Sequence, residues 1–165
     1  MKRINNLRIT KAVTAAFTGH RAYDFTQREV IKARLTAAIL EAYEHGIRNF
    51  ISGFAIGVDL MAAQVVQSLK FSYPDMTLTA AIPFNGQANR YNPYDRKVYE
   101  QLMKLADEVI ILSDQYYPRC FLVRDEFMVE NAAYLIAYYD GREKGGTYYT
   151  IKKAKALDIP IVNVY

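Results

Sequence analysis

The chain has a single cysteine, Cys120, and only two histidines, His20 and His45, among 165 residues. One thiol excludes an intrachain disulfide framework and suits a reducing compartment, the cytoplasm. Cys120 itself reads as a small buried thiol, with a nucleophile as the alternative. The same scarcity leaves no metal cluster by local spacing, so no metal is expected. No apolar run approaches the roughly 20 residues of a membrane span. The basic segment Met1-Lys2-Arg3-Ile4-Asn5-Asn6-Leu7-Arg8 lacks the apolar stretch of a signal peptide. Also missing are the dinucleotide fingerprint G-x-G-x-x-G, a Walker Gly-Lys-Ser/Thr and a Gly-x-Ser-x-Gly elbow. A P-loop ATPase is therefore unsupported. No repeat, linker or low-complexity tract divides the chain.

Charge is also modest. Lys and Arg total 21 against 17 Asp and Glu, a net charge of +4 with pI near 9.1. The positive residues are dispersed apart from Lys152, Lys153 and Lys155, which read as a solvated helix face. Charge alone therefore does not point to nucleic acid. With 52% hydrophobic and 23% charged residues, the composition is that of a globular protein. The length predicts one domain over residues 1–165.

Strand-like and helix-like patterns alternate. Ala12 to Phe17 is a β-rich apolar run ending in Thr18-Gly19. Thr26-Gln27-Arg28-Glu29 has the form of a capping box before a helix with apolar stripe Ile31, Leu35, Ala38, Ile39 and Ala42. Gly46 stops that helix, and Arg28 is expected on its outer face. Asn49 to Ser52, Met76 to Phe84, Val109 to Leu112, Leu135 to Tyr139 and Ile161 to Val164 read as further strands. Between them lie a helix bearing Leu60, Ala63, Val66 and Leu69, and one opened by Asn92-Pro93 with Val98, Leu102 and Leu105 inward. Another helix runs from Arg124 to Tyr134, and a last one ends near Leu157. Continuous apolar strands alternating with helices predict an α/β, doubly wound, mostly parallel Rossmann-like sheet with helices on both faces. Its ligand is expected at the carboxyl ends of the strands, near the switch in strand order.

Every motif with chemical potential falls just after a strand. Thr18-Gly19-His20-Arg21 offers close backbone approach, a hydroxyl and a guanidinium fork, or else a plain turn with a structural histidine. Ser52-Gly53-Phe54-Ala55-Ile56-Gly57-Val58-Asp59 forms a tight turn into a helix, where Asp59 either caps the helix, contacts a ribose hydroxyl or acts as a base. Gly145-Gly146-Thr147, with Asp140-Gly141 just before it, exposes N–H groups at a helix start or is a flexible turn. Arg119, Arg124 and Asp125 follow Tyr116-Tyr117-Pro118, with the tyrosines available for stacking or for the core. Two glycine turns on one sheet edge predict a cleft that grips an anionic, nucleotide-like ligand from two sides.

Together these segments resemble the superfamily that unites the DNA-processing protein DprA (Smf) with the cytokinin-activating LOG proteins, and within it the YpsA-like branch. Phe17-Thr18-Gly19-His20-Arg21 is similar to the opening motif of that branch, and Ser52 to Asp59 to the S-G-x-A-x-G-x-D loop of DprA. Arg124 followed by Met128 resembles the LOG R-x-x-x-M, and Gly145-Gly146-Thr147 part of its G-G-x-G-T phosphate loop, one glycine shorter. The resemblance covers nearly the whole chain in order. It implies a Rossmann-like nucleotide binder with ligand contacts at Thr18, Gly19, His20, Arg21, Ser52, Gly53, Gly57, Asp59, Arg124, Asp140, Gly145, Gly146 and Thr147. No cofactor beyond such a ligand is implied, and a homodimer is expected.

LOG proteins cleave the base from nucleoside monophosphates with a glutamate three residues after the loop threonine. Here that position is Thr150, which has no carboxylate to offer. Binding or sensing of a nucleotide-derived ligand is the expectation. The alternatives are a LOG-like N-glycosidic hydrolase, using Arg124 with Asp59, Glu130 or Asp140 as the carboxylate, and a DprA-like single-strand binder.

Overall fold

The computed structural model describes residues 9–165; the basic segment at positions 1–8 lies outside them. Among the described residues, six strands alternate with five α-helices: β1 (Thr14–Gly19), α1 (Arg28–Glu44), β2 (Asn49–Ser52), α2 (Val58–Leu69), β3 (Thr77–Ile82), α3 (Pro93–Leu105), β4 (Glu108–Ile111), α4 (Cys120–Glu130), β5 (Tyr134–Tyr138), α5 (Gly145–Ala156) and β6 (Ile161–Asn163). The sheet order is β4-β3-β2-β1-β5-β6, and all of its pairings are parallel. The chain therefore winds outward from β1 in one direction and resumes on the other side at β5. The switch point lies between these two strands, as the Rossmann-like reading requires.

Apolar runs without alternation follow from burial on both faces. In β1, Ala15 and Phe17 pack with Ile31, Leu35 and Val66 under α1 and α2, while Ala16 packs with Met128, Val129 and Ile151 under α4 and α5. In β5, Ile136 belongs to the first cluster and Leu135 and Ala137 to the second. One sheet thus serves two helical layers.

Helix ends follow local chemistry, with three departures from the sequence reading. Asn92 caps α3 by accepting the Asp95 N–H at 2.9 Å, and Pro93 occupies the first turn. The capping box at Thr26 does not form, because Asp24 accepts both the Thr26 N–H (3.0 Å) and its hydroxyl (2.7 Å). That hydroxyl is spent on Asp24, and Asp24 caps a short 3₁₀ turn, Phe25–Gln27, leading into α1. Leu105, expected inward, is exposed at the last residue of α3, while Tyr99 takes the buried position beside Leu102. The third departure is α4, which starts four residues before Arg124 and ends at Glu130.

Candidate functional site

The first glycine turn is closed. Gly57 has φ +87°, and a side chain there would collide with the Arg21 carbonyl. The Val58 N–H donates to the His20 carbonyl at 3.2 Å, and a Cβ on Gly19 would sit 2.7 Å from that of Val58. These glycines bring the end of β1, the β1–α1 loop and the start of α2 into contact. Gly53 makes room for Arg124, whose guanidinium would lie 2.5–2.9 Å from an added Cβ. Arg124 Nη1 donates to the Gly53 carbonyl at 2.7 Å and to Ala81 at 3.4 Å, and its Nε to Asp125 Oδ1 at 2.8 Å. Ser52 Oγ donates to the Asp59 carbonyl at 2.8 Å and accepts from the Phe54 N–H at 3.2 Å. Ser52, Gly53 and Gly57 thus make internal contacts and do not border the cavity described next.

The second glycine turn is open. Gly145 and Gly146 form the first residues of α5, Lys144 stands at the cap position, and no side chain caps the helix. The free N–H groups of its first turn carry the positive end of the helix. Gly145 has φ +92° with nothing within 4 Å of an added Cβ, and Gly146 meets only Asp125 Oδ2 at 3.5 Å.

Between the two turns lies a cavity of about 360 Å³ at the carboxyl ends of β1 and β5, a volume suited to a small-molecule ligand. Of the expected contacts, Thr18, Gly19, His20, Arg21, Asp59, Arg124, Gly145, Gly146 and Thr147 border it. Phe121, Asp125 and Lys144 border it too. Asp140 does not; its amide and Oδ1 lie 3.0 and 3.1 Å from His20 Nε2, and its Oδ2 holds Arg142 at 2.6 Å. A neutral His20 accepts the Asp140 N–H there, and a protonated one donates to the carboxylate. Asp140 thus stands behind His20 and orients it.

Arg124 is 3% exposed and lies in the second turn of α4, not at a helix start. It is a scaffold cation. Its Nε and Nη1 are committed to protein acceptors, while no acceptor among the described residues engages Nη2. Asp59 is 7% exposed, and its Oδ1 has no partner among the described residues. It sits in the first turn of α2 without capping it. Burial pushes the Asp59 carboxyl up to about 7, against the pull of Arg124. Burial also raises Asp125, opposed by Arg124 and by the Thr150 hydroxyl beside it. That hydroxyl donates to the Gly146 carbonyl at 2.8 Å, so Thr150 turns back onto its own helix. The Arg21 guanidinium stacks 4.9 Å over the Phe121 ring at the cavity wall.

Other candidates fall elsewhere. Glu130 is exposed and pairs with Lys153 at 3.7 Å. Tyr116 packs edge-on against Phe84 at 5.5 Å. Arg28 is partly buried and donates to the Tyr23 hydroxyl at 2.7 Å, so it is not on the outer face of α1. Cys120 is fully buried, and Lys152 and Lys155 are exposed as expected. Among the described residues no group of three His, Cys, Asp or Glu side chains is placed to hold a metal, and no helix is long and apolar enough to cross a membrane. Asp125 and Lys144 are the charged site residues that the sequence reading left out of its ligand set. The signal for Asp125 was its place beside Arg124, and for Lys144 its place just before the glycine pair.

Known proteins share this chain's family and its fold. The chain is 32% identical to a UPF0398 protein of Bacillus cereus (strain B4264) over 129 residues, covering 77% of this chain and 70% of that protein. A UPF0398 protein of Bacillus thuringiensis (strain Al Hakam) is 31% identical over the same shares. Among solved structures, DNA processing protein A (DprA) from Streptococcus pneumoniae aligns with a TM-score of 0.64 at 15% identity, over 90% of this chain and 48% of that one. DprA from Helicobacter pylori, described with a single-stranded DNA binding mode, aligns at 0.62 and 17% identity over 92% and 64%. The chain thus spans about half to two thirds of these DprA chains, and the likeness is one of fold. The family model of YpsA, described as the YspA SLOG family, matches residues 15–159, and the chain belongs to that family.

Proposed function

We propose that this protein binds a phosphorylated, nucleotide-like small molecule in the cavity between the two glycine turns. The observation that carries the reading is the uncapped start of α5 opening into a cavity that Arg21 and Lys144 also border. Free N–H groups at a helix N-terminus and two cations make a site for phosphate. The position beside the β1/β5 switch point supports it, since open α/β sheets hold ligands there. Arg21 and Lys144 then supply direct charge, and Arg124 fixes the inner wall.

A thermal-shift screen of nucleotides, with Gly146→Val as the control variant, tests the reading. A ligand at 100 times its dissociation constant stabilises the fold by about 2.7 kcal/mol. Nucleoside phosphates should raise the midpoint of the unaltered protein, and folded Gly146→Val should lose that rise. An equal rise in both proteins removes the ligand from the start of α5. A larger rise with a single-stranded oligonucleotide than with any mononucleotide favours nucleic-acid binding instead.

One feature favours a second reading. The Asp125 carboxylate stands beside Thr150, where a LOG-like hydrolase has its glutamate, so an N-glycosidic hydrolase would use Asp125 with Arg124. Chromatography of the protein incubated with AMP decides this. Thr150 leads us to expect no release of free adenine at enzyme-like rates of about 1 per second.

A further inference from the structure

A buried carboxylate, Asp59, and a half-buried one, Asp125, share one buried cation at the inner wall of the cavity. Arg124 bonds Asp125 directly and attracts Asp59, whose Oδ1 is shielded from solvent with no partner among the described residues. An ionised carboxylate in that position is an orphan acceptor, which costs more than a paired one. An anion brought to the start of α5 adds further negative charge to this cluster. The charges must then be balanced from outside.

We propose that the cavity takes up its anionic ligand together with one proton, and that Asp59 is the residue that carries it. This rests on the anion-binding reading above and adds a condition to it. With a proton, Asp59 changes from an unpaired acceptor to a donor, and Arg124 is left with Asp125 as its one ionised neighbour. The groups that face Asp59 are Arg124 and Asp125 from α4, Arg21 from the β1–α1 loop and the Ala55 N–H from its own turn. Tyr91, before α3, also lies within its field, and burial pushes its hydroxyl well above the ordinary tyrosine range.

The direction of the linkage follows from burial. The free protein holds the Asp59 carboxyl at about 7, and a bound anion moves it higher still. Below that range the proton is already present and binding is independent of pH. Above it, the proton must be drawn from solution, so affinity falls as pH rises, by up to about tenfold per pH unit for one linked proton.

Calorimetric titration of the full chain with AMP at pH 8, in two buffers of different ionisation enthalpy, reads the proton directly. AMP is already a dianion there, with its second phosphate pKa near 6. The expected result is uptake of close to one proton by the unaltered protein and none by Asp59→Asn. The mutant's affinity should follow the same course from pH 6 to 8.5 as free AMP ionisation alone. Should Asp59→Asn fail to fold, the two-buffer measurement on the unaltered protein still decides, because zero uptake overturns the proposal. A His20→Gln protein should keep the uptake; if it loses it, the proton belongs to His20 and the assignment to Asp59 is wrong. Binding without any pH linkage overturns the proposal and leaves the anion site standing, whereas absence of AMP binding at every pH removes both.

Discussion

The two glycine turns both lead into helices, and they put their glycines to opposite uses. In the first, each glycine is demanded by a neighbour: Gly53 by the Arg124 guanidinium and Gly57 by the Arg21 carbonyl. Its polar groups are turned inward, as with Ser52 on Asp59 and Phe54. In the second, Gly145 has open space around it, and the first turn of α5 borders the cavity without a side-chain cap. Glycine therefore marks close packing at one wall and accessible backbone at the other. Composition alone does not separate these uses; what approaches the missing Cβ does.

The strongest way to break this contrast is to remove the residue that the closed turn is built around. Arg124→Ala leaves the buried Asp59 and the half-buried Asp125 without their counter-charge, and such a loss costs about 3–5 kcal/mol. Denaturant unfolding at pH 8 should show a drop of that size. The drop should shrink at pH 5, where protons can replace the cation. A drop below about 1 kcal/mol at pH 8 would mean that the wall is held by something other than this cluster. Gly53→Ala is next, since its methyl would overlap Arg124, and overpacking of this kind costs about 1–3 kcal/mol. Gly145→Ala meets no atom and carries only the cost of φ +92°, about 1 kcal/mol. If Gly145→Ala proves the more damaging of the two in the same unfolding measurement, the distinction between a packed and an open turn is lost.

Most of the sheet was legible because strands covered on both faces are apolar without alternation. Ala15, Ala16 and Phe17 show this in β1, although its first turn is a 3₁₀ segment, Lys11–Val13, and the strand runs on to Gly19. The α4 boundary was missed because Tyr116-Tyr117-Pro118 reads as a loop that runs up to the first charged residue of interest. The helix in fact begins two residues after Pro118, and its first turn is apolar: Cys120, Phe121, Leu122 and Val123. That shift carries Arg124 from an open helix end into the interior.

Within the site, the sequence indicated which loops would meet but not which side chains would be spent on each other. Asp59 was visible as a possible cap, base or ribose contact. Its isolation depends on groups from other elements, above all Arg124, 65 residues further along. Asp125 gains its meaning from Thr150, a full strand and turn away. Local patterns report the periodicity of an element; the state of a buried charge is set by distant neighbours that no local pattern encodes.

Arg124 also links parts of the molecule that the chain keeps separate. It stands on a helix of one layer and bonds the Gly53 carbonyl of the loop that enters the opposite layer, with the Ala81 carbonyl of β3 between them. Prising that wall apart would pull a desolvated cation from two backbone carbonyls at once. On the other side, Gly141 and Gly145 both stand at positive φ with nothing within 4 Å of an added Cβ. The ligand proposed above is therefore expected to pass on the 141–145 side, with the Arg124 wall as the fixed side of the site.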